Sequence, residues 1–154
     1  METVKINVVV CGAFDPLHSG HLEHIKEAKK LGDFLTVILN PDEDVIRKRG
    51  VVFIPLGQRF QILKALKDVD DVVIAIDGDG TVANTIKMLK PDILAKGGDR
   101  NPASMPKNEI EACKEVGCEI VYGVGKQLAS STELLKRILE YKGEIKHKPS
   151  GNFE

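Results

Sequence analysis

The sequence predicts a doubly wound α/β domain, a five-stranded parallel sheet with helices on both faces. Two patterns carry that reading. Short apolar runs rich in Val, Ile and Leu alternate with longer amphipathic segments of helical period. Each run then gives way to Gly, Pro, Asn or Asp, as βα units require. The 154 residues suffice for one domain with a buried core, and nothing in the chain reads as an internal repeat or a linker.

Ile6 to Cys11 reads as the first strand, interrupted in its apolar character by Asn7. Ser19 to Leu31 is the following helix, ended by Gly32. Phe34 to Leu39 is the second strand, stopped by Asn40-Pro41, and Asp42 to Arg49 a short helix with a basic end. Gly57 to Lys67 forms the next helix, packing through Phe60, Ile62, Leu63 and Leu66. Asp71 to Ile76 is the third strand. Asp77-Gly78-Asp79-Gly80 is a turn, without the ligand series or terminal Glu of a calcium loop. Thr81 is placed to cap a helix running to Lys90, where Pro91 breaks the chain before strand Ile93 to Ala95. Pro106 suits the first turn of a helix to about Val116, and Glu119 to Tyr122 is the last strand. A final helix from Glu133 to about Tyr141 completes a domain of residues 1–141, leaving 142–154 as a polar tail.

Chemistry concentrates in Gly12-Ala13-Phe14-Asp15-Pro16-Leu17-His18-Ser19-Gly20-His21, between the first strand and its helix. His18 and His21, spaced i, i+3, lie on one side of that helix's first turn. Unpaired backbone N–H groups and the positive end of the helix dipole make such a turn an anion site. The histidines add two side-chain donors. Phe14 is expected to pack beneath the turn, and Asp15 to organise the loop, because a carboxylate beside a polyphosphate is repelled.

This spelling resembles the GxFDxxHxGH signature of the cytidylyltransferase-like nucleotidyltransferases, Rossmann-like enzymes that transfer a nucleoside monophosphate and release pyrophosphate. The resemblance covers nearly the whole chain. It continues through Arg47-Lys48-Arg49-Gly50, Pro55-Leu56-Gly57-Gln58-Arg59, Pro91-Asp92-Ile93-Leu94-Ala95-Lys96-Gly97-Gly98-Asp99 and Ser130-Ser131-Thr132. Among family branches, the adenylyltransferases of the ADP-heptose pathway are the most similar, on the KGGD block after Pro91-Asp92. The resemblance implies a sheet with the first strand central, a homodimer, and a reaction in which ATP and a sugar 1-phosphate such as heptose 1-phosphate give a nucleotide sugar and pyrophosphate, with Mg²⁺ on the phosphates.

Carried over residue by residue, the resemblance makes His18, His21 and Lys48 catalytic, Lys48 on a flexible segment reaching the triphosphate. Gly12, Ala13, Phe14, His18, His21, Lys96, Gly97, Asp99, Ser130, Ser131 and Thr132 bind the nucleotide. Asp15 and Arg59 are assigned to the acceptor substrate, Arg59 with two roles open: contact with substrate phosphate, or holding its helix against the sheet. Three departures stand out. Ala13 replaces the usual Thr, Arg100 stands where the heptose enzymes often carry Tyr, and the arginine of the family's RTxGISTT element has no counterpart, although Lys126 falls nearby and could compensate.

Bulk properties narrow the alternatives. A formal net charge of −1 gives no electrostatic case for nucleic acid or a membrane surface. No apolar stretch approaches membrane-spanning length and no signal-peptide core opens the chain, so a cytoplasmic protein is expected. Cys11, Cys113 and Cys118 form no CxxC pair and suit reduced thiols, Cys11 packing at the end of the first strand. Two other functions remain in view: a cytidylyltransferase acting on glycerol 3-phosphate or a similar phospho-alcohol, and a nucleotide-binding regulator without turnover.

Overall fold

The structure is a computed structural model that describes residues 4–143; residues 144–154 of the expected tail lie outside the described residues. Five parallel strands form one sheet: β1 (Asn7–Gly12), β2 (Phe34–Leu39), β3 (Asp71–Ile74), β4 (Ile93–Ala95) and β5 (Glu119–Val121). Their order is β3-β2-β1-β4-β5, so β1 is central, as expected. The helices are α1 (Ser19–Lys29), α2 (Asp42–Arg49), α3 (Leu56–Lys64), α4 (Ala83–Leu89), α5 (Lys107–Val116) and α6 (Ser131–Glu140), with a 3₁₀ turn at Pro102–Ser104. The chain runs outward from β1 through β2 to β3, then returns to place β4 on the other side of β1. That reversal is the switch point at which open α/β sheets bind ligands, beyond the strands' C-terminal ends.

The period-2 alternation of the strands divides the core in two. Val8, Val10, Leu35, Val37 and Leu39 face Ile25 and Ala28 of α1 and Leu63 of α3. Val9, Ile38 and Leu94 face the other way, against Ile86 of α4 and Ala112 and Cys113 of α5. At the opposite edge from the switch point, aspartates preceding β2, β3 and β4 each take a backbone N–H from a neighbouring chain segment. Asp33 accepts from Ile6, Asp70 from Leu35 and Asp92 from Asn7, each at 2.8 Å. Donors that the parallel ladder leaves free are thereby satisfied.

Several boundaries differ from expectation for local reasons. The first strand begins at Asn7, because the Ile6 N–H is taken by Asp33, and it runs on to Gly12. The first helix ends at Lys29; a Cβ at Gly32 would meet the Ile6 carbonyl oxygen and Val8 at 2.7 Å, so only glycine lets this turn pass β1. The next helix spans Leu56–Lys64, and the third and fifth strands stop at Ile74 and Val121. Thr81 does not cap α4. Asp77 does, accepting from the N–H groups of Asn84 (2.5 Å) and Thr85 (3.1 Å) and from the Thr85 hydroxyl (2.7 Å). Thr81 instead donates its hydroxyl to Asp79 and accepts from Asn108. The last helix starts at Ser131, two residues before Glu133, capped by Ser130.

Asp15 and Arg59, assigned from the sequence to the acceptor, are buried. Of the two roles open for Arg59, the geometry supports the structural one. Its Nε donates to the Ile54 carbonyl (2.8 Å), Nη1 to the carbonyls of Ala13 and Asn40 (2.8 Å each), and Nη2 to Asp42 Oδ1 (2.6 Å). Asp15, the expected loop organiser, accepts from the backbone N–H groups of Phe53 (2.9 Å) and Ile54 (2.7 Å). Arg49 donates to the Asp15 carbonyl at 2.6 Å, with its carboxylate 3.4 Å away. Lys48 sits in the last turn of helix α2, which Gly50 closes at φ +96.

Arg59→Met leaves three carbonyls and a carboxylate without their donor, and Arg59→Lys supplies one ammonium in place of a planar fork. Breaking such a buried network costs about 3–5 kcal/mol. Urea denaturation of Arg59→Met should show a loss in that range with little change in slope, and the lysine variant should recover only part of it.

Candidate active site

The first turn of α1 builds the site from its own capping. The His18 ring is the N-cap: its Nδ1 accepts from the N–H groups of Gly20 (3.1 Å) and His21 (3.4 Å). His21 returns the favour, its Nδ1 accepting from the His18 N–H at 3.2 Å. A backbone N–H can only donate, so both Nδ1 atoms carry lone pairs and the proton of each neutral ring is on Nε2. The rings stack with centroids 3.7 Å apart and 17° between planes. Phe14, buried as expected and held at φ +51, sets its ring 4.8 Å from that of His21. A Cβ at Gly20 would lie 3.0 Å from the His18 ring and 3.2 Å from the Ala129 nitrogen, so the glycine between the histidines keeps the ring in place.

Burial pushes the His21 pKa down to about 3, with the neighbouring His18 and His24 adding like-charge repulsion. His18 is lowered by burial as well. At neutral pH the free protein therefore presents two uncharged Nε2–H donors.

Both rings line a cavity of about 390 Å³ at the C-terminal ends of β1 and β4. Lys48 and Arg100 reach it, as do Lys96, Gly97 and Asp99 from the segment after β4, and Lys126, Ser130 and Ser131 from before and at the start of α6. Ser130 Oγ accepts from the Glu133 N–H at 3.4 Å, the ordinary capping role, while Ser131 Oγ donates to the Pro16 carbonyl at 3.0 Å and ties α6 to the motif turn. A second cavity of about 510 Å³ adjoins the first and shares Cys11, Lys48, Lys96 and Arg100 with it. Lys96 Nζ lies 3.4 Å from Cys11 Sγ at this boundary.

A family profile described as cytidylyltransferase-like matches residues 9–137, from β1 into α6. The chain belongs to this family. It is 38% identical over 141 residues to an FAD synthase of Thermococcus sibiricus, covering 88% of this chain and 94% of that protein. It is also 38% identical over 131 residues to the bifunctional protein HldE of Pelobacter propionicus, covering 84% of this chain but 26% of that longer protein. A crystal structure of a lipopolysaccharide core biosynthesis protein from Thermoplasma volcanium superposes with a TM-score of 0.66 at 29% identity, covering 82% of this chain and all of that one. By family and fold the protein is a nucleotidyltransferase.

Within that family frame, the expected site residues separate into groups. His18, His21, Lys48, Lys96, Gly97, Asp99, Ser130 and Ser131 line the first cavity, and Gly12 and Ala13 line the second. Phe14, Asp15 and Arg59 lie beneath the site as its support, and Thr132 is exposed on α6 outside both linings. Sequence reasoning missed His24, which extends the i, i+3 row of histidines by one more step and lines the first cavity. Its Nδ1–H donates to the Val124 carbonyl at 2.7 Å, which leaves Nε2 an acceptor in the neutral ring. Burial, reinforced by Lys96, lowers its pKa against the opposing pull of that bond and Asp99. Gly125, at φ +84, passes so close to α1 that a Cβ would meet the His24 backbone at 2.9 Å.

The depressed His21 pKa has a consequence for stability. The unfolded chain binds a proton at the ordinary 6.5 and the native state only near 3. His21 therefore stabilises the fold fully above pH 6.5, and that contribution is lost as pH falls toward 3. Thermal melts from pH 7 to 4 should show a decline that is shallower in His21→Asn, which keeps an acceptor for the His18 N–H. An unchanged slope would remove His21 from the acid response.

Proposed function

We propose that the protein is an adenylyltransferase that joins ATP and a sugar 1-phosphate, heptose 1-phosphate or a close analogue, into an ADP-sugar with release of pyrophosphate. The observation that carries this reading is the junction of the two cavities. One bears the paired Nε2–H donors, the other extends away from it, and Lys48, Lys96 and Arg100 belong to both. A triphosphate in the first cavity and a phosphorylated acceptor in the second would meet at these cations. The acceptor's phosphate oxygen attacks the α-phosphorus, the bond from that phosphorus to the bridging oxygen breaks, and the electron pair leaves on pyrophosphate. The nucleophile is already anionic, so no side-chain base is required. The protein's work is alignment and stabilisation of charge on the α- and β-phosphate oxygens by His18, His21 and Lys48.

A Mg²⁺ ion, if carried in by the nucleotide, would supply further positive charge against the phosphates. Among the described residues no group of three or more His, Cys, Asp or Glu is placed to hold a metal, and Asp99 is the single carboxylate lining the first cavity. That donor set suits an ion carried mostly by substrate and water, as Mg²⁺ commonly is.

The choice of ATP is supported by the FAD synthase relatives, whose product contains an adenylyl group. Those relatives also favour a second reading, FMN as acceptor. Against it, among the described residues no Phe, Tyr or Trp lines the second cavity to stack on a flavin, whereas Asn40, Asp44, Asp79, Thr81 and Ser104 offer the hydrogen-bonding groups that a sugar uses. A regulator without turnover has no need of both histidine donors and Lys48 at the same junction.

Steady-state kinetics test the machinery. Losing one preorganised donor to developing charge lowers turnover by about 10²–10³-fold. His18→Ala and His21→Ala should each lower kcat on that scale, and Lys48→Ala should lower kcat more than it raises KM for ATP. A folded variant with near-normal kcat removes that residue from the mechanism.

A matrix of ATP and CTP against sugar 1-phosphates, FMN and glycerol 3-phosphate, read by product mass, tests the substrates. ATP with a sugar 1-phosphate should give the largest kcat/KM. CTP with glycerol 3-phosphate would overturn the substrate pair and leave the reaction class, ATP with FMN would establish the second reading, and no pyrophosphate with any pair would overturn the enzyme.

A further inference from the structure

We propose that Glu109 reads the acceptor, its free carboxylate oxygen accepting a hydroxyl of a polyol that carries a terminal phosphate; this rests on the two-cavity reading above. Glu109 lies in the first turn of α5, lines the second cavity and is 4% exposed. One of its oxygens, Oε2, accepts from the N–H of Val82 at 3.2 Å, at the start of α4. The other, Oε1, is buried and has no partner among the described residues, the one such side-chain atom among them. Buried carboxylate oxygens are normally satisfied, and leaving one bare is costly.

A structural role accounts for only part of this residue. The Oε2 bond holds the α4 and α5 ends together, and the N-terminal end of α5 favours negative charge. A glutamine would make the same bond at less desolvation cost. Neither effect uses Oε1. An acceptor hydroxyl does, since a carboxylate takes O–H donors more strongly than a neutral acceptor does.

The placement of charge gives the ligand its polarity. The cations common to both cavities, Lys48, Lys96 and Arg100, mark the boundary where the acceptor's phosphate must lie. Glu109 belongs to the second cavity alone, beside Thr81, Ser104 and Met105. A ligand spanning the two positions is anionic at one end and hydroxylated along its body. A sugar phosphate and the ribityl phosphate of FMN share this chemistry, and the assay separates them.

The test uses the full chain, Glu109→Gln and Glu109→Ala, with ATP plus a sugar 1-phosphate, its deoxy analogues, and FMN. Glutamine preserves the Val82 bond, so it is the variant in which folding is retained, checked by thermal melting. Exchanging a charged for a neutral acceptor should raise KM for the cognate acceptor roughly tenfold, with the Kd for ATP unchanged. Discrimination against one deoxy analogue should collapse in Glu109→Gln, and further in Glu109→Ala if that variant folds. Folded Glu109→Gln with wild-type acceptor KM and intact discrimination against every deoxy analogue overturns the assignment. If the wild type makes no product with any polyol phosphate, the function itself fails instead, so the two failures are distinguishable.

Discussion

The site depends on one buried cation. The Arg59 guanidinium draws together the turn after β1 through Ala13, the loop after β2 through Asn40, the first residue of α2, Asp42, and the segment before α3 through Ile54. Taking that charge out of water costs several kcal/mol, and it is tolerated because three carbonyl dipoles and a carboxylate meet it in a fixed fork. Asp15 works with the opposite sign on the same segment, a buried carboxylate collecting the N–H groups of Phe53 and Ile54. Cation and anion pin the chain between α2 and α3 to the motif turn. The last turn of α2, and Lys48 with it, is thereby held at the boundary of the two cavities.

Helix capping and cavity-facing donors share the same two rings in the first turn of α1. Helix starts leave backbone N–H groups unsatisfied, and here imidazole nitrogens satisfy them. Spending Nδ1 on the backbone fixes the tautomer and the tilt of each ring, so each Nε2–H is committed before any ligand arrives. Such preorganisation removes reorganisation from the reaction step. The tight passages at Gly20 and Gly125 protect it, since a side chain at either would push on His18 or on the backbone of α1.

The two cavities draw on different parts of the fold. The first cavity is lined from the motif turn and the start of α1, the segment after β4 and the start of α6, around the switch point, with Lys48 of α2. The second cavity is lined also from α2 and from the entries to α4 and α5, the two helices that pack on the face of the sheet away from α1. Changes at the entries to α4 and α5 can therefore reshape the second cavity without disturbing the histidine turn.

Fold class and the motif turn were legible in the sequence because their causes are local, while the central place of β1 came with the family resemblance. Apolar period, turn residues and the spacing of His18 and His21 act within a few positions of one another. The division of labour inside the motifs was not legible. The sequence leaves both Asp15 and Arg59 between a structural role and contact with substrate, and the partners that bear on the choice lie 39 and 46 residues away, respectively, at Ile54 and Ala13. Asp77 displaced Thr81 as the cap of α4 because its carboxylate reaches two N–H groups across the turn. His24 could have been found from its helical spacing, but Glu109 could not: an acidic residue in the first turn of a helix is ordinary until packing buries it and leaves one oxygen bare. Sequence by itself determined the fold class and singled out the turn whose two histidines line the first cavity. Tertiary structure alone decided which charges are spent on the protein and which remain for a ligand, because burial and partnership are set by segments distant in the chain.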